Sequence, residues 1–340
     1  MGSNQKTAVT SDLLPDYPIT YLDFQRMFPD ENACIQYLEK MRWPSGFVCA
    51  NCSTKGEPFR FAARPKVLKC RSCHQDSSIT AGTVMHRSKI NIHIWFWTAY
   101  LMATQKPGVS ALELQKRLGI KSYETAFQLL HKLRAAMVRP DRDKIGSEWP
   151  LELDIVFVGG RYKSGIQGKT NQTPVIIAVE IRHKEVRNAK TKKIIKRALA
   201  GRIRLQSLSD KSAASVNPFV RENISPQAII VSDDGTEFTN LLTMGFKHRP
   251  VPMRGDRDKM DKYLPVISRV TTNLKTWIDG THHGVRYKHL QAYLNEYMFR
   301  FNRRFFRAVS FRSLIGIGAL NAGLTYEEIY DAHTTKPMIK

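Results

Sequence analysis

Four residues in the first quarter of the chain have the types and spacing of a metal site. Two residues separate Cys49 from Cys52 and Cys70 from Cys73, and 17 residues separate the pairs. Two thiolates at that spacing share one tetrahedral metal, and two such turns fill its four positions, which is the donor set of a structural zinc. A closed four-thiolate shell leaves no position for a reacting water. The fifth cysteine, Cys34, falls within a helical pattern and is expected in a core. Farther along, Asp154 lies inside a strand-like run and Asp233 ends another. A single strand-end aspartate is most often a turn or cap residue. Two brought together at strand ends would hold divalent cations such as Mg²⁺, which prefer oxygen ligands and drive phosphoryl transfer.

These residues need elements to hold them. The spacing of Phe24, Met27, Phe28, Ile35, Leu38 and Met41 predicts one helical stretch from Tyr21 to Trp43, ended by Pro44-Ser45-Gly46. Each CxxC then sits on a hairpin-like arm, which makes a zinc ribbon. Ile92–Thr104 reads as an apolar helix whose aromatics, Trp95, Phe96, Trp97 and Tyr100, serve the core. Residues 107–138 read as a helix-turn-helix: a first helix capped by Ser110, a turn at Gly119-Ile120-Lys121, and a second helix starting at Ser122 or Tyr123. Ala126, Leu129, Leu130, Leu133 and Met137 form its inner face. Lys121, Tyr123, Thr125, Gln128, Lys132 and Arg134 are expected to face DNA.

After a polar boundary at Pro140–Pro150, strands are predicted over 151–158, 175–181, 200–208 and 228–231, with a helix near 213–222 and a helical C-terminal part. The fold class is therefore α/β. Residues 184–197 read as a basic loop, densest at Lys190, Lys192, Lys193 and Lys196, and suited to DNA phosphates. The divisions expected are a disordered tail (1–20), an N-terminal helix with the ribbon (21–88), a helical DNA-binding region (89–140), an α/β domain (150–310) and a helical tail (311–340).

Charge narrows the partner. The formal net charge is +23, and such an excess favours a polyanion through counterion release. No apolar run is long enough to cross a bilayer, and the first residues lack a signal-peptide pattern. An odd cysteine count argues against a disulfide framework, so a reducing cytoplasm is expected.

Between Tyr21 and Leu320 the chain resembles bacterial insertion-sequence transposases of the ISXO-like group. The resemblance rests on CANC (49–52), CRSC (70–73), TAGTVMHRSK (80–89), WFW (95–97), LELDIVFVGG (151–160), IIVSDDG (229–235) and the block NLKTWIDGTHHGVRYKHLQAYLNEYMFRFNRRF (273–305). It implies a ribonuclease-H-like, DDE-type (retroviral-integrase-like) catalytic domain behind the ribbon. It also implies binding to terminal inverted repeats, then Mg²⁺- or Mn²⁺-dependent strand cleavage and strand transfer into target DNA. Homo-oligomers in the nucleoid-bearing cytoplasm belong to the same expectation. Asp154 matches the first acid. Asp233 matches the second because its spacing to Phe238 fits, with Asp234 the competitor. The third ligand falls seven residues before Lys275, at Ser268, where the family carries Glu, Asn or His. Ile155 and Val156 also replace the usual acidic and Thr residues. Glu152, on Asp154's side of the strand, is a candidate to compensate, and Lys275 a candidate phosphate contact. Two further readings stand beside this one: a relative that binds DNA without cutting it, motivated by Ser268, and a zinc-ribbon regulator with an unrelated α/β domain, which the 273–305 block opposes.

Overall fold

The computed structural model describes residues 15–139, 141–159, 172–187, 193–252 and 257–330. Helix α1 (Tyr21–Met27) starts on a reciprocal capping box: Thr20 Oγ1 accepts from Asp23 N (3.1 Å) and Asp23 Oδ2 accepts from Thr20 N (2.9 Å). The single helical stretch expected from Tyr21 to Trp43 is two helices. Pro29 supplies no N–H and disfavours helical backbone at Phe28, and Asp30 caps α2 (Glu31–Arg42) by accepting from Ala33 N at 2.9 Å. Strands β1 (Phe59–Arg60), β2 (Val67–Lys69) and β3 (Asp76–Ser78) form the antiparallel sheet of the ribbon. Helix α3 (Ile92–Thr104) is buried nearly all round, and Phe96 packs edge-on against Phe28 and Tyr37. Its aromatics are core, as their spacing implies. Helices α4 (Ala111–Leu118) and α5 (Tyr123–Ala135) follow, capped by Ser110 and Ser122 and joined through Gly119 in the left-handed conformation (φ 62°).

The α/β half is built on β4 (Leu151–Val158), β5 (Thr173–Arg187), β6 (Ile194–Ser207), β7 (Ile229–Asp233) and β8 (Lys247–Val251), with α6 (Ala213–Asn223) between β6 and β7. The spatial order is β6-β5-β4-β7-β8; β4, β5 and β6 pair antiparallel, and β7 joins β4 and β8 in parallel. Period two divides β4 between two cores. Leu151, Leu153 and Ile155 pack with α6, while Val156 and Val158 pack with helices on the other face. The polar strand β8 was not expected, because its Lys-His-Arg-Pro-Val sequence lacks an apolar face. The basic loop expected at 184–197 is largely strand: Lys184 to Arg187 and Ile194 to Arg197 extend the β5–β6 hairpin. Lys190 and Lys192 lie outside the described residues; Lys193 and Lys196 are exposed.

Helices α7 (Arg257–Tyr263), α8 (Pro265–His282), α9 (Tyr287–Asn302), α10 (Arg307–Leu320) and α11 (Tyr326–Tyr330) complete the chain. Proline at the first position of α8 suits a helix start, where no N–H is needed. Helices α8 and α9 bury their apolar faces on the sheet. Helix α10 is not a separate tail. Phe311, Leu314, Ile315 and Ala319 enter the front core with α2 and α3, and a Cβ on Gly318 would meet Val84 Cγ1 at 2.8 Å. The 21–88 and 89–140 segments share that same core. The polar boundary is also tied down within 141–150, with Ile145 wholly buried and its N–H on Asn223 O at 2.9 Å. Among the described residues no helix is long and apolar enough to cross a membrane.

Candidate zinc centre and candidate active site

The four cysteines converge. Their Sγ atoms all lie within 4.8 Å of one another, with Cys49–Cys73 at 3.6 Å and Cys52–Cys70 at 3.7 Å. Tetrahedral ligands at ~2.3 Å from one zinc are ~3.7 Å apart, so the donor set and its spacing fit that ion. Each CxxC turn closes in the same way. Ser53 N donates to Cys49 O (2.9 Å) and His74 N to Cys70 O (3.1 Å), and both Ser53 and His74 take positive φ (57° and 60°). The Cys52 thiol, bonded to Thr54 Oγ1 at 3.3 Å, is drawn down to about 6 by its hydrogen bonds to Thr54. A thiol so lowered ionises readily for a metal.

In the α/β half, the parallel register pairs Leu151 with Ile230 and Glu152 with Val231. Continued two residues, it sets Asp154 level with Asp233. Burial pushes the Asp154 carboxyl up to about 7, and the charges of Asp233 and Glu237 add to this. The Ile155 N–H, 2.7 Å from Asp154 Oδ1, and the Lys211 ammonium oppose it. Asp233 is also raised, first by burial and then by Glu237. Asp234 points to solvent and acts on Asp233 from outside.

Two residues of this cluster escaped the sequence reading. Glu237 lies on a 3-10 turn (Thr236–Leu241) that starts directly after Gly235. A Cβ on Gly235 would stand 2.5 Å from Glu237 Oε2 and 3.1 Å from Asp233 Oδ1, so both carboxylates crowd one glycine. Lys211 follows β6 and places Nζ 3.1 Å from Glu237 Oε1. The offset from Asp233 to Glu237 is a weak signal without knowledge of the turn, and Lys211 comes from a distant strand end. Oxygen donors around an excess of partly buried negative charge fit a hard divalent ion. Among the described residues, only the four cysteines bring three or more His, Cys, Asp or Glu ligand atoms within 4.8 Å of one another.

Glu152 shares Asp154's face, as the strand period requires, but its carboxylate is engaged elsewhere. Its Oε2 accepts from Ile267 N at 2.6 Å, so it caps the first turn of α8. Burial pushes it up to about 7 against the pull of the Ile267 and Val266 N–H groups. It anchors the helix that carries Ser268. The Ser268 hydroxyl donates to Asp261 Oδ1 at 2.6 Å, a carboxylate from α7 that the sequence reading did not single out. Lys275 is exposed two turns farther along α8.

The expected DNA face is only partly free. Lys121 and Tyr123 are exposed at the start of α5. Thr125 is bound to the Ser122 cap (2.8 Å), Gln128 to Glu124 (3.3 Å), and Lys132 is half-buried. Arg134 is the clear correction. Its side chain is 1% exposed and its Nε donates to Glu296 Oε2 of α9 at 2.8 Å, so it points inward. The Tyr330 ring of α11 stacks on Phe127 (5.9 Å), covering another part of α5.

Residues 150–302 match the ISXO2-like transposase domain, and residues 29–76 match the transposase zinc-ribbon domain. Sheet, carboxylate cluster and cysteine knuckles thus fall inside two transposase-family domains, which sets the class of the protein. With both domains present in this order, the chain matches an IS1595-family transposase. No curated protein and no solved structure matches it.

Proposed function

We propose that this protein is an insertion-sequence transposase that binds the terminal inverted repeats of its element, cleaves a strand there and transfers it to target DNA. The juxtaposition of Asp154 and Asp233 at the centre of the mixed sheet carries this reading. The strand order β6-β5-β4-β7-β8, antiparallel then parallel, supports a ribonuclease-H-like domain. Asp154 and Asp233 would hold Mg²⁺ or Mn²⁺, with Glu237 beside them. The divalent ion, when bound, supplies activation of water or a 3′-hydroxyl and stabilises the leaving oxygen. The chain's own part is to keep both carboxylates partly buried, fix Asp154 through the Ile155 N–H, and set a cation, Lys211, next to the cluster.

The cysteine knuckles would bind one structural Zn²⁺ and fold the ribbon. The α4-turn-α5 unit supports a helix-turn-helix whose reading end is Lys121 to Thr125, at the start of the second helix. Double-stranded DNA is the partner that the +23 charge favours, in the cytoplasm, with a homo-oligomer pairing two element ends. A strand-transfer assay with the element's own termini and Mg²⁺ or Mn²⁺ tests the reading. Joining by the wild type and none by Asp154→Asn or Asp233→Asn is expected. Joining that survives Asp154→Asn sinks it.

One observation favours a second reading, a family member that binds DNA without cutting. Ser268 is a neutral hydroxyl committed to Asp261. In that case the unmodified protein joins no ends, and Ser268→His or Ser268→Glu gains cleavage. Efficient cutting by the unmodified protein excludes it.

A further inference from the structure

A cavity of about 310 Å³ lies at the β6 edge of the sheet. Five of its lining side chains are arginines, Arg139, Arg142, Arg202, Arg204 and Arg303, and its one carboxylate is Asp143. The first two come from the segment after α5, the next two from β6, and Arg303 from the C-terminal end of α9. The cavity is distinct from the carboxylate cluster. Arg204 pairs with Ala178, which pairs with Leu153; Asp154 is one register position on and faces the other side of the sheet.

The charges here do not balance. Arg202 is matched by Glu180 (2.8 Å) and Asp143. Arg204 is not. Its side chain is 8% exposed, its Nη2 donates to the Asp143 backbone carbonyl (2.6 Å), and the Asp143 carboxylate stands 3.8 Å away. Its buried Nε has no hydrogen-bond partner among the described residues. Arg142 donates to the neutral Asn223 Oδ1 at 2.7 Å. Arg303 lies over the Phe299 ring at 4.0 Å and donates to the Phe299 carbonyl, at 3.4 Å. Burial draws the Arg204 guanidinium down to about 10, with Arg142 the next cause; burial and then Arg139 do the same to Arg303. Carbonyl oxygens satisfy N–H groups but do not cancel charge. Several guanidiniums converging on one space match the geometry of a tetrahedral oxyanion, which accepts paired N–H donors. The volume sits at the small end of ligand pockets.

We infer that this arginine-lined cavity is an oxyanion site that takes a phosphoryl group, from a free pyrophosphate-like ligand or from a DNA backbone. It requires no strand transfer, so its failure and the failure of the transposase reading are separate results. The test uses the full-length zinc-loaded protein and calorimetric titration with inorganic pyrophosphate in the absence of divalent ions. Saturable binding at about one site per chain is expected, weakened by about 10-fold or more in Arg303→Gln and Arg204→Met. Arg312→Gln, at a remote surface pair with Asp16, should bind as the wild type does. Should Arg204→Met not fold, Arg303→Gln and Arg139→Gln at the cavity rim carry the comparison. A second arm titrates an arbitrary DNA duplex. If the phosphoryl group is DNA's, pyrophosphate competes and Arg303→Gln lowers the salt slope by about one. If it is a free ligand's, Arg303→Gln loses pyrophosphate while DNA affinity holds. No saturable pyrophosphate binding by the wild type, or equal binding by wild type and both rim variants, overturns the assignment.

Discussion

Replacing Glu296 by alanine removes the carboxylate that joins α5 to α9. Glu296 is 0% exposed and Arg134 1%, with 2.8 Å between Oε2 and Nε. Among the described residues both terminal nitrogens of Arg134 are buried without a hydrogen-bond partner, so the substitution strands a charge that cannot reach water. Breaking a buried pair from one side costs about 3–5 kcal/mol. Arg300, 3.4 Å from Glu296 Oε1 and 14% exposed, loses its carboxylate as well. The reverse substitution is milder. In Arg134→Met, Glu296 keeps Arg300, and the losses are one charged hydrogen bond, about 1.5–3 kcal/mol, and the cation–π contact with Tyr293 at 3.9 Å. Urea unfolding followed by tryptophan fluorescence measures the difference, since Trp277 lies beside Arg300. Glu296→Ala should fall well below Arg134→Met in midpoint. The Arg134→Met/Glu296→Leu pair should recover much of the loss. DNA titrations of Arg134→Met should keep the wild-type salt slope, because this arginine is buried against Glu296. A Glu296→Ala protein within about 1 kcal/mol of wild type refutes the reasoning. So does an Arg134→Met protein of unchanged stability whose salt slope falls by about one.

Three further outcomes follow from the same structure. Chelation, or Cys70→Ser, should release about one zinc per chain and open the ribbon to protease between residues 47 and 79, while the far-ultraviolet signal of the α/β sheet persists; a zinc-free protein with intact protease resistance refutes this. The Asp154 carboxyl is raised to about 7, so the unfolded chain ionises first and stability declines as pH climbs from about 4 to about 7, then levels. Asp154→Asn removes this residue's share of the decline, leaving those of Glu152 and Asp233, and should be the more stable protein at pH 8 without divalent ions, by at most on the order of 4 kcal/mol, a gap that Mg²⁺ narrows; equal pH profiles would refute it. Glu152→Ala uncaps α8 and should cost about 1–3 kcal/mol, with Glu152→Gln costing less because its amide oxygen still accepts from Ile267 N. Full Mg²⁺ affinity should survive in Glu152→Gln if its role is the cap, and a lost metal isotherm would make it a ligand instead.

Local rules carried the sequence reading far. Cysteine spacing placed the ribbon, because a CxxC turn is a short-range structure. Period-two patterning placed β4 and put Glu152 and Asp154 on one face. Ser110, Ser122 and Gly119 marked helix ends through backbone chemistry that needs no distant partner. The break at Phe28-Pro29-Asp30 was legible by the same rules, in a stretch where apolar spacing alone predicted continuity.

What the tertiary structure decided is where polar side chains end. Arg134 looks like a surface residue in sequence, and only the arrival of Glu296 on α9 makes it internal. Glu152 is a carboxylate on the right face, and the docking of α8 turns it into a cap. Glu237 and Lys211 join Asp154 because a 3-10 turn and a strand end meet there, and Asp143 and five arginines share a cavity because the β6 edge, α9 and the segment after α5 converge. The largely apolar α10 gave no sign of which core it would enter, since apolar burial is non-directional and fits any surface of matching shape. The zinc knuckles were written in the chain itself. The carboxylate cluster was half written there, and packing between distant segments supplied the rest.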